Sequence, residues 1–408
     1  MRSLIESGNR WLGKIPENWK ILALKYLCIM QAGKNLVSEQ IEEEGLYPVY
    51  GGNGQRGYYS EYNCEGDKLV VGRQGALCGN VHKVEGKIWA TEHAVITDAT
   101  FLIYRDFLYY LLIGMNLNQY VSSTAAQPGL AVSTIQNVRT CLPPFSEQER
   151  IASFLDAECA RIDAVVEQTR ASIEEYKKLK QAVITQAVTK GIRSNRPMKD
   201  SGVEWIGEVP ADWQVYRIAN LYDERNESGS DDLPILTVSI NSGISDHEVA
   251  DEDQARVFVR SEDKTKYKRV YPGDLAYNMM RAWQGAFGAV RVDGMISPAY
   301  VVAKPKQGVA LDSRYVEALL RTPSAIEEMH RYSHGITDFR LRLYWPEFKN
   351  IRICVPEIEV QCEIADYIDS QNQTIADLIA KKEQIVSELL YYKQSLIFEY
   401  VTGKKVVV

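Results

Sequence analysis

The sequence predicts an α+β chain in which two mixed α/β domains are separated by a long antiparallel coiled coil of two helices, with a pseudo-twofold internal repeat. Three observations predict this fold: a dozen-residue motif that occurs twice, two long stretches with heptad-spaced apolar residues, and two divergent segments rich in short β-type runs. We expect a first domain with its leader at 1–145, a long helix at 146–192, a second domain with its leader at 193–355, and a second long helix at 356–404.

Length and composition set the limits of this prediction. A chain of 408 residues with 45% hydrophobic and 25% charged residues has an ordinary globular composition and exceeds one typical core, so about two to three domains are expected. The sequence contains neither a signal peptide nor a membrane-spanning apolar run, which predicts a cytoplasmic protein. Its seven cysteines include no CxxC pair, so we expect reduced thiols, no disulfide framework, no metal site and no cofactor.

The repeat consists of two blocks. RWLGKIPENWKI (10–21) and EWIGEVPADWQV (204–215), here called the leaders, share Trp, Gly, Pro and Trp at a constant separation of 194 residues. Residues 142–165 match 355–378 at a separation of 213, through pairs such as Gln148 with Gln361 and Asp156 with Asp369. The stretches between the blocks, 28–141 and 222–354, differ in length and sequence and are called the first and second inserts. The chain is therefore predicted to be a duplicated frame that holds two divergent inserts.

The second block of each copy has the pattern of a long helix. Pro143 and Pro144 precede it, Ser146 with Glu149 forms a capping-box pattern, and Gly191 follows the last periodic residue. Heptad-type spacing over about five repeats predicts that the helices pair antiparallel within one chain, with Thr169 and Lys382 as polar seam residues. The predicted apolar seam comprises Leu155, Ile162, Val165, Ile173, Tyr176, Leu179 and Val183 in the first helix, and Ile368, Ile375, Leu378, Ile385 or Val386, Leu389, Tyr392 and Leu396 in the second. Two independent surface helices are the alternative.

The inserts have the pattern of short strands separated by Gly, Asn and Tyr clusters, each with one helical stretch, at about 104–120 and 312–330. A weaker match links them: RQGALCGNV (73–81) resembles RAWQGAFGAV (281–290). We therefore expect both inserts to share one fold.

The twin W-x-G-x-x-P-x-x-W leaders, the twin Pro-led helix starts and the two divergent inserts resemble the DNA-specificity subunit of type I restriction-modification systems. The second helix start, VPEIEVQCE, departs from the first by lacking the double Pro and the Glu-Gln pair. The resemblance implies that each insert is a target-recognition domain reading one half of a split asymmetric site in double-stranded DNA. It also implies that the paired helices separate the domains and bind two methyltransferase subunits, together with restriction and translocase subunits.

Candidate DNA contacts follow from residue chemistry. Arg suits guanine edges, Asn and Gln suit adenine edges, and Gly lets the backbone approach a ligand. In the first insert these residues are Asn53, Gln55, Arg56, Arg73 and Gln74. In the second insert they are Lys266, Lys268, Arg269, Arg281, Trp283, Gln284, Arg340 and Arg342. Neither insert is basic overall, with 8 basic against 11 acidic residues in the first and 18 against 20 in the second, so a solvated surface is the alternative for each residue.

Enzyme motifs are not found in the sequence. No G-x-x-x-x-G-K-[ST] motif for an ATPase is present, and LPPF (142–145) has Leu where an amino-methyltransferase needs a polar residue. HRYSH (330–334) has Arg where a zinc protease needs Glu, so its histidines are predicted to lie at a helix end. We expect a sequence-reading subunit without catalysis, and the alternative is a nucleic-acid-modifying enzyme with an unrecognised site.

Overall fold

A computed structural model describes residues 3–74, 78–121, 129–240, 242–247, 266–335 and 341–407. The chain divides into two compact units. Unit 1 comprises residues 1–171 and 382–408, and unit 2 comprises residues 172–381. The first insert therefore lies in unit 1 and the second in unit 2.

Unit 1 contains the leader hairpin, a strand pair that brackets the insert, and two four-stranded sheets. Its strands are β1 (Leu4–Glu6), β2 (Lys14–Pro16), β3 (Lys20–Ala23), β4 (Cys28–Ala32), β5 (Tyr47–Gly51), β6 (Gly54–Tyr59), β7 (Cys64–Glu65), β8 (Lys68–Gly72), β9 (Val81–Val84), β10 (Lys87–Ala90), β11 (Ala94–Ala99) and β12 (Arg139–Leu142). The sheet orders are β4-β11-β8-β9 and β6-β5-β10-β7, while β1 pairs with β2 and β3 with β12. The antiparallel β3–β12 pair places the start and the end of the insert side by side.

Unit 2 repeats this construction except for the second four-stranded sheet. Its strands are β13 (Met198–Asp200), β14 (Glu208–Pro210), β15 (Gln214–Arg217), β16 (Tyr222–Arg225), β17 (Val238–Ser239), β18 (Gly243–Ile244), β19 (Lys268–Val270), β20 (Leu275–Asn278), β21 (Phe287–Ala289), β22 (Gly294–Ile296), β23 (Tyr300–Pro305) and β24 (Arg352–Val355). The sheet β16-β23-β20-β21 has the strand order of β4-β11-β8-β9, and the β13–β14 and β15–β24 pairs match β1–β2 and β3–β12. The α+β class with an internal repeat is thereby confirmed.

The helices agree closely with the predicted ones. They are α1 (Arg105–Gly114), α2 (Val132–Gln136), α3 (Phe145–Lys190), α4 (Ile218–Leu221), α5 (Ser313–Leu320), α6 (Pro323–Arg331), α7 (Trp345–Phe348) and α8 (Ile358–Val401). Helix α3 begins at Phe145, so Ser146 lies inside the helix and the predicted capping box is wrong. The predicted helix end is confirmed, because Gly191 has a φ of +78° and its N–H donates to the Ala187 carbonyl at 3.1 Å.

The long helices run antiparallel within each unit. In unit 1, the rings of Phe154 and Tyr400 lie 4.5 Å apart, and Lys393 Nζ lies 2.6 Å from an Asp163 carboxylate oxygen. From the first contact to the second, the residue number rises along α3 and falls along α8. The two helices therefore run in opposite directions. In unit 2, Ala187 shares a core with Ile364 and Ile368 near the start of α8. The coiled-coil prediction is confirmed, and each unit contains the paired ends of both helices.

The predicted seam is correct in part. Leu155, Ile162, Ile173, Ile368, Ile375 and Leu396 are buried as expected. Val165, Leu179, Leu378, Ile385 and Tyr392 are exposed, so their assignment to the seam is wrong; Val165 and Leu179 are 42% and 48% exposed. Cys159 and Val166 are buried instead, one residue beyond the predicted heptad positions. An α-helix with about 3.6 residues per turn drifts away from a 3.5-residue repeat, and this drift moves the apolar face.

Each leader holds the end of a long helix. In unit 1, Lys404 Nζ donates to the Leu12 carbonyl at 2.7 Å, and a Cβ placed on Gly403 would lie 2.5 Å from the Pro16 ring. In unit 2, the corresponding partner of Gly191 is Trp213, whose ring lies 3.6 Å from where a Cβ would stand. Each leader therefore contacts the carboxyl end of one long helix.

Three further features concern the cysteines, membrane spans and metal sites. All seven cysteines are free thiols. No helix within the described ranges combines the length and apolar character needed to cross a bilayer. Within those same ranges, no group of three or more His, Cys, Asp or Glu side chains could hold a metal ion.

Candidate nucleic-acid interface

The two loops that carry the matched Arg and Gln residues occupy equivalent places in the fold. In the first insert, Arg73 and Gln74 directly follow β8, in the connection from β8 to β9. In the second insert, Arg281 and Gln284 lie in the connection from β20 to β21. Both connections join the last two strands of the equivalent sheets. The weak sequence match between the inserts therefore corresponds to a structural equivalence.

The hairpin formed by β5 and β6 brings the other first-insert candidates to this loop. A Cβ placed on Gly72 would lie 2.0 Å from the Gly52 carbonyl oxygen, and one on Gly52 would lie 2.6 Å from the Gln74 carbonyl oxygen. Only glycine allows the two backbones to approach so closely. The hairpin turn carries Asn53, so the structure places it beside the loop, with Gln55 and Arg56 following on β6.

Backbone hydrogen bonds fix Arg73 while its side chain stays accessible. Its N–H donates to the His93 carbonyl at 2.8 Å, and its carbonyl accepts from the Leu130 N–H at 2.9 Å. The Cys78 thiol also donates to that carbonyl at 3.0 Å, and burial raises the pKa of this thiol. Among the described residues, the guanidinium groups of Arg56 and Arg73 have no acidic partner. The charged groups of these two residues are therefore available to a ligand on a rigid support.

Sequence reasoning missed a group of polar side chains beneath the hairpin turn. His82 Nε2, Thr91 Oγ1 and His93 Nδ1 are buried and have no hydrogen-bond partner in the described part of the chain. A Cβ on Gly54 would lie 3.0 Å from the His82 ring, and one on Gly51 would lie 3.7 Å from Thr91 Oγ1. Burial lowers the pKa of His82, because it disfavours the charged imidazolium. His82 stands on β9, whereas Thr91 and His93 lie in the connection from β10 to β11, so no sequence spacing indicates that His82 lies near the same hairpin as the other two.

The second-insert loop is a rigid turn. Arg281 precedes a 3-10 helix at Ala282–Gln284, and Gly285 closes it with a φ of +89°. The Trp283 indole N–H donates to the Met280 carbonyl at 3.1 Å, and its ring meets the His330 ring edge-on at 5.7 Å. Within the described ranges the Arg281 guanidinium has no acidic partner, and Gln284 is exposed.

A second basic residue adjoins this loop. The Leu343 N–H donates to the Met279 carbonyl at 2.9 Å, which places exposed Arg342 beside the loop that holds Arg281. His334 pairs through its backbone with Arg342. Arg340 lies outside the described residues. His330 and His334 stand in and just after the last turn of α6, as predicted.

The remaining second-insert candidates stand on or just before β19. The Arg269 guanidinium lies 4.6 Å over the Tyr271 ring and 3.9 Å from an Asp293 carboxylate oxygen. Lys268 is half-buried, and burial lowers its pKa, while Lys266 is exposed. Arg269 thus has internal partners that Arg281 lacks, and DNA contact by these three residues stays a prediction.

Comparison with known proteins matches part of the chain to a family. The model of the family described as "Type I restriction modification DNA specificity domain" matches residues 16–175. The EcoprrI type I specificity subunit of Escherichia coli is 42% identical over 145 residues, which cover 35% of this chain and only 36% of that relative's length. The EcoBI specificity subunit of E. coli is 23% identical over 406 residues, which cover 90% of this chain and 82% of that protein.

A solved structure shares the fold over nearly the whole chain. It comes from work on the structural basis of complex assembly and conformational transition of the type I R-M system. The TM-score is 0.66 at 16% identity, and the match covers 96% of this chain and 100% of that one. Residues 16–175 therefore match a type I restriction modification DNA specificity domain, and the fold of the chain is similar to that of the chain from the type I R-M structure.

Proposed function

We propose that this chain is a non-catalytic subunit that reads a bipartite, asymmetric site in double-stranded DNA, with one insert for each half-site. One observation carries the proposal. Equivalent connections in the two units present Arg and Gln side chains, and the guanidinium groups of Arg73 and Arg281 have no acidic partner among the described residues. Because the two inserts otherwise differ in sequence, the half-sites that they read differ too.

The chemistry of these loops suits base reading in the major groove. Arginine donates two hydrogen bonds to guanine, and asparagine or glutamine pairs with the adenine edge in the same two-point manner. Asn53, Arg73 and Gln74 offer these groups in the first insert. Arg281 and Gln284 offer them in the second, with Arg342 suited to the adjacent phosphates.

The charge of the chain predicts how binding is shared with partners. A net charge of −7 gives little long-range attraction to DNA, so the phosphate contribution that dominates most DNA affinity must come from elsewhere. We infer that two methyltransferase subunits bind the duplicated frame, one at each copy, and supply basic surface. Restriction and translocase subunits complete the assembly, which acts on DNA in the cytoplasm.

The proposal is tested by selecting duplexes from a random DNA pool with the purified chain at low salt. We expect a split asymmetric motif. Replacing residues 222–354 with the corresponding insert of a relative should change one half of that motif and leave the other unchanged. A motif without two separate halves, or an exchange that alters both halves, would contradict the assignment.

The non-catalytic part of the proposal has its own test. The purified chain is incubated with DNA and S-adenosylmethionine carrying a labelled methyl group. No label should reach the DNA until methyltransferase subunits are added. Methyl transfer by the chain alone would favour the alternative of a nucleic-acid-modifying enzyme.

A further inference from the structure

Each long helix carries a glutamine and an aspartate eight residues apart in the repeat register. They are Gln148 and Asp156 on α3, and Gln361 and Asp369 on α8. The neighbouring position differs between the copies, because Glu147 in the first corresponds to Val360 in the second. The retained pair therefore has a role that does not depend on the rest of the helix start.

The glutamine makes the same contact in both units. Gln148 Oε1 accepts from the Tyr104 N–H at 2.7 Å, and its amide donates to the Leu102 and Pro143 carbonyls at 3.2 and 3.0 Å. Tyr104 is the residue that precedes α1 of the first insert. The Gln148 side chain belongs to a residue that is only 1% exposed, so these hydrogen bonds are shielded from water.

In unit 2 the corresponding partner is Asp312, the residue that precedes α5. Its N–H donates to Gln361 Oε1 at 2.9 Å, and the Gln361 amide donates to the Pro356 carbonyl at 2.8 Å. Gln361 is likewise 1% exposed. In both units, therefore, one buried amide binds the start of the insert's helix and the start of the long helix together.

The aspartate binds a cation that comes from a different element in each insert. Asp156 Oδ1 accepts from Lys83 Nζ on β9 at 3.0 Å and from the Tyr110 hydroxyl at 2.8 Å. Asp369 accepts from Arg314 on α5 at 3.3 Å. The frame thus keeps its carboxylate while each insert supplies its own cation.

We propose that the glutamine and aspartate of each long helix form a two-point docking site, which positions the recognition insert on the frame and accepts any insert that offers a helix-start N–H and a suitably placed cation. This inference rests on the proposed function, because positioning matters only if the insert reads DNA. It gives a physical reason why inserts of unrelated sequence can occupy one frame. It also makes Gln148, Asp156, Gln361 and Asp369 positioning residues that do not touch DNA.

The test uses the full chain and four single variants of unit 1. Gln148→Met, Asp156→Asn and Lys83→Met each remove part of the docking site. Asp163→Asn is the matched control, because Asp163 lies seven residues further along α3 and pairs with Lys393 on α8, not with the insert. Asp156→Asn and Lys83→Met alter partly exposed groups, so they serve if Gln148→Met does not fold.

The first measurement is amide hydrogen exchange, which needs no DNA. We expect the amides of Tyr104 and the first turn of α1 to exchange at least tenfold faster in the docking variants than in Asp163→Asn. Equal exchange in all four variants would overturn the docking site, whatever the DNA experiment gives.

The second measurement is selection from the random duplex pool. The unaltered chain should select one spacer length between its half-sites, and so should Asp163→Asn. The docking variants should select the same half-sites with more than one spacer length, because an insert free to tilt tolerates several distances. A single unchanged spacer in folded docking variants would overturn positioning. If the unaltered chain selected no split motif, the proposed function itself would fail, and hydrogen exchange alone would decide whether the inserts dock in this way.

Discussion

The indole N–H of Trp19 donates a hydrogen bond to the Glu147 carboxylate at 3.1 Å, across 128 residues of sequence. This contact ties the first leader to the start of α3. In unit 2, Trp213 occupies the matching leader position, but Val360 replaces the glutamate. The Trp213 indole nitrogen is buried and has no hydrogen-bond partner in the described ranges. The departure of the second helix start from the first therefore leaves the Trp213 indole N–H without the carboxylate acceptor that Trp19 has.

Val360→Glu should stabilise the chain by giving Trp213 the acceptor that Trp19 has. A net hydrogen bond to a charged group contributes about 1.5–3 kcal/mol, less the loss of the valine packing, so we expect a gain of about 1 kcal/mol. Urea unfolding measures it. The same substitution in a Trp213→Phe background should give no gain, and an equal gain there would show that the new glutamate acts elsewhere.

Arg73→Ala and Gln74→Ala should weaken recognition of the first half-site and leave the second unchanged. Each two-point contact to a base contributes about 1–3 kcal/mol of discrimination against the wrong base. Binding to duplexes with single-base changes measures this loss. Lys68→Ala is the control, because Lys68 already pairs with Asp98 on the same sheet; a loss as large in that variant would mark a general effect on the insert.

Arg281→Ala and Gln284→Ala should have the corresponding effect on the second half-site. Arg269→Ala should have a smaller effect, since Arg269 is engaged with Tyr271 and Asp293. Titration of binding against salt separates two kinds of contact: a loss that is uniform over all sequences, with a shallower salt dependence, would identify Arg281 as a phosphate contact.

Asp312→Asn should lower stability at neutral pH and have no effect in acid. Burial alone would raise the pKa of Asp312, but hydrogen bonds from the Arg314 side chain and backbone and the Arg314 charge outweigh it and hold that pKa below its usual range. A carboxyl with a lowered folded-state pKa stabilises the protein above its unfolded pKa of about 3.9, and this contribution is lost as the pH falls through the folded value. Asparagine still caps the helix, so the variant isolates the charge. Thermal unfolding of both proteins, followed from neutral pH downward, should show the difference shrinking as the pH falls below the unfolded pKa of the carboxyl; a constant difference would contradict the assignment.

Gly191→Ala and Gly403→Ala form a matched pair at the ends of the long helices. Both glycines have positive φ, so alanine at either position should cost about 1–2 kcal/mol in backbone strain. Gly403→Ala should cost more, because its Cβ would lie 2.5 Å from Pro16 and 2.9 Å from Trp19, whereas the nearest atom to a Cβ on Gly191 is at 3.6 Å. The difference in free energy of unfolding is the measurement, and equal costs would show that the first leader yields to the added methyl group.

The sequence alone was sufficient to predict the duplicated frame. Three features could be predicted from it: the repeated leaders, the long helices and the equivalence of the two Arg-Gln loops. Each depends on local periodicity or on the comparison of one copy with the other. Helix α3 was predicted to within two residues at each end, since it spans Phe145–Lys190 and the prediction was 146–192. The predicted seam is wrong at Val165 and Leu179, since strict heptad counting does not follow the drift of a helix with about 3.6 residues per turn.

The tertiary structure alone decided which distant residues meet. The approach of Gly52 to Gly72 joins Asn53 to Arg73, and it depends on two backbones fitting together without side chains. The His82 ring and the Thr91 hydroxyl, which come from separate elements, each lie close to a glycine of that hairpin, Gly54 and Gly51 respectively. Lys83 and Arg314 reach equivalent aspartates from unrelated elements. Such contacts join residues far apart in sequence. Because the packing of whole sheets against helices sets their geometry, no local sequence pattern predicts them.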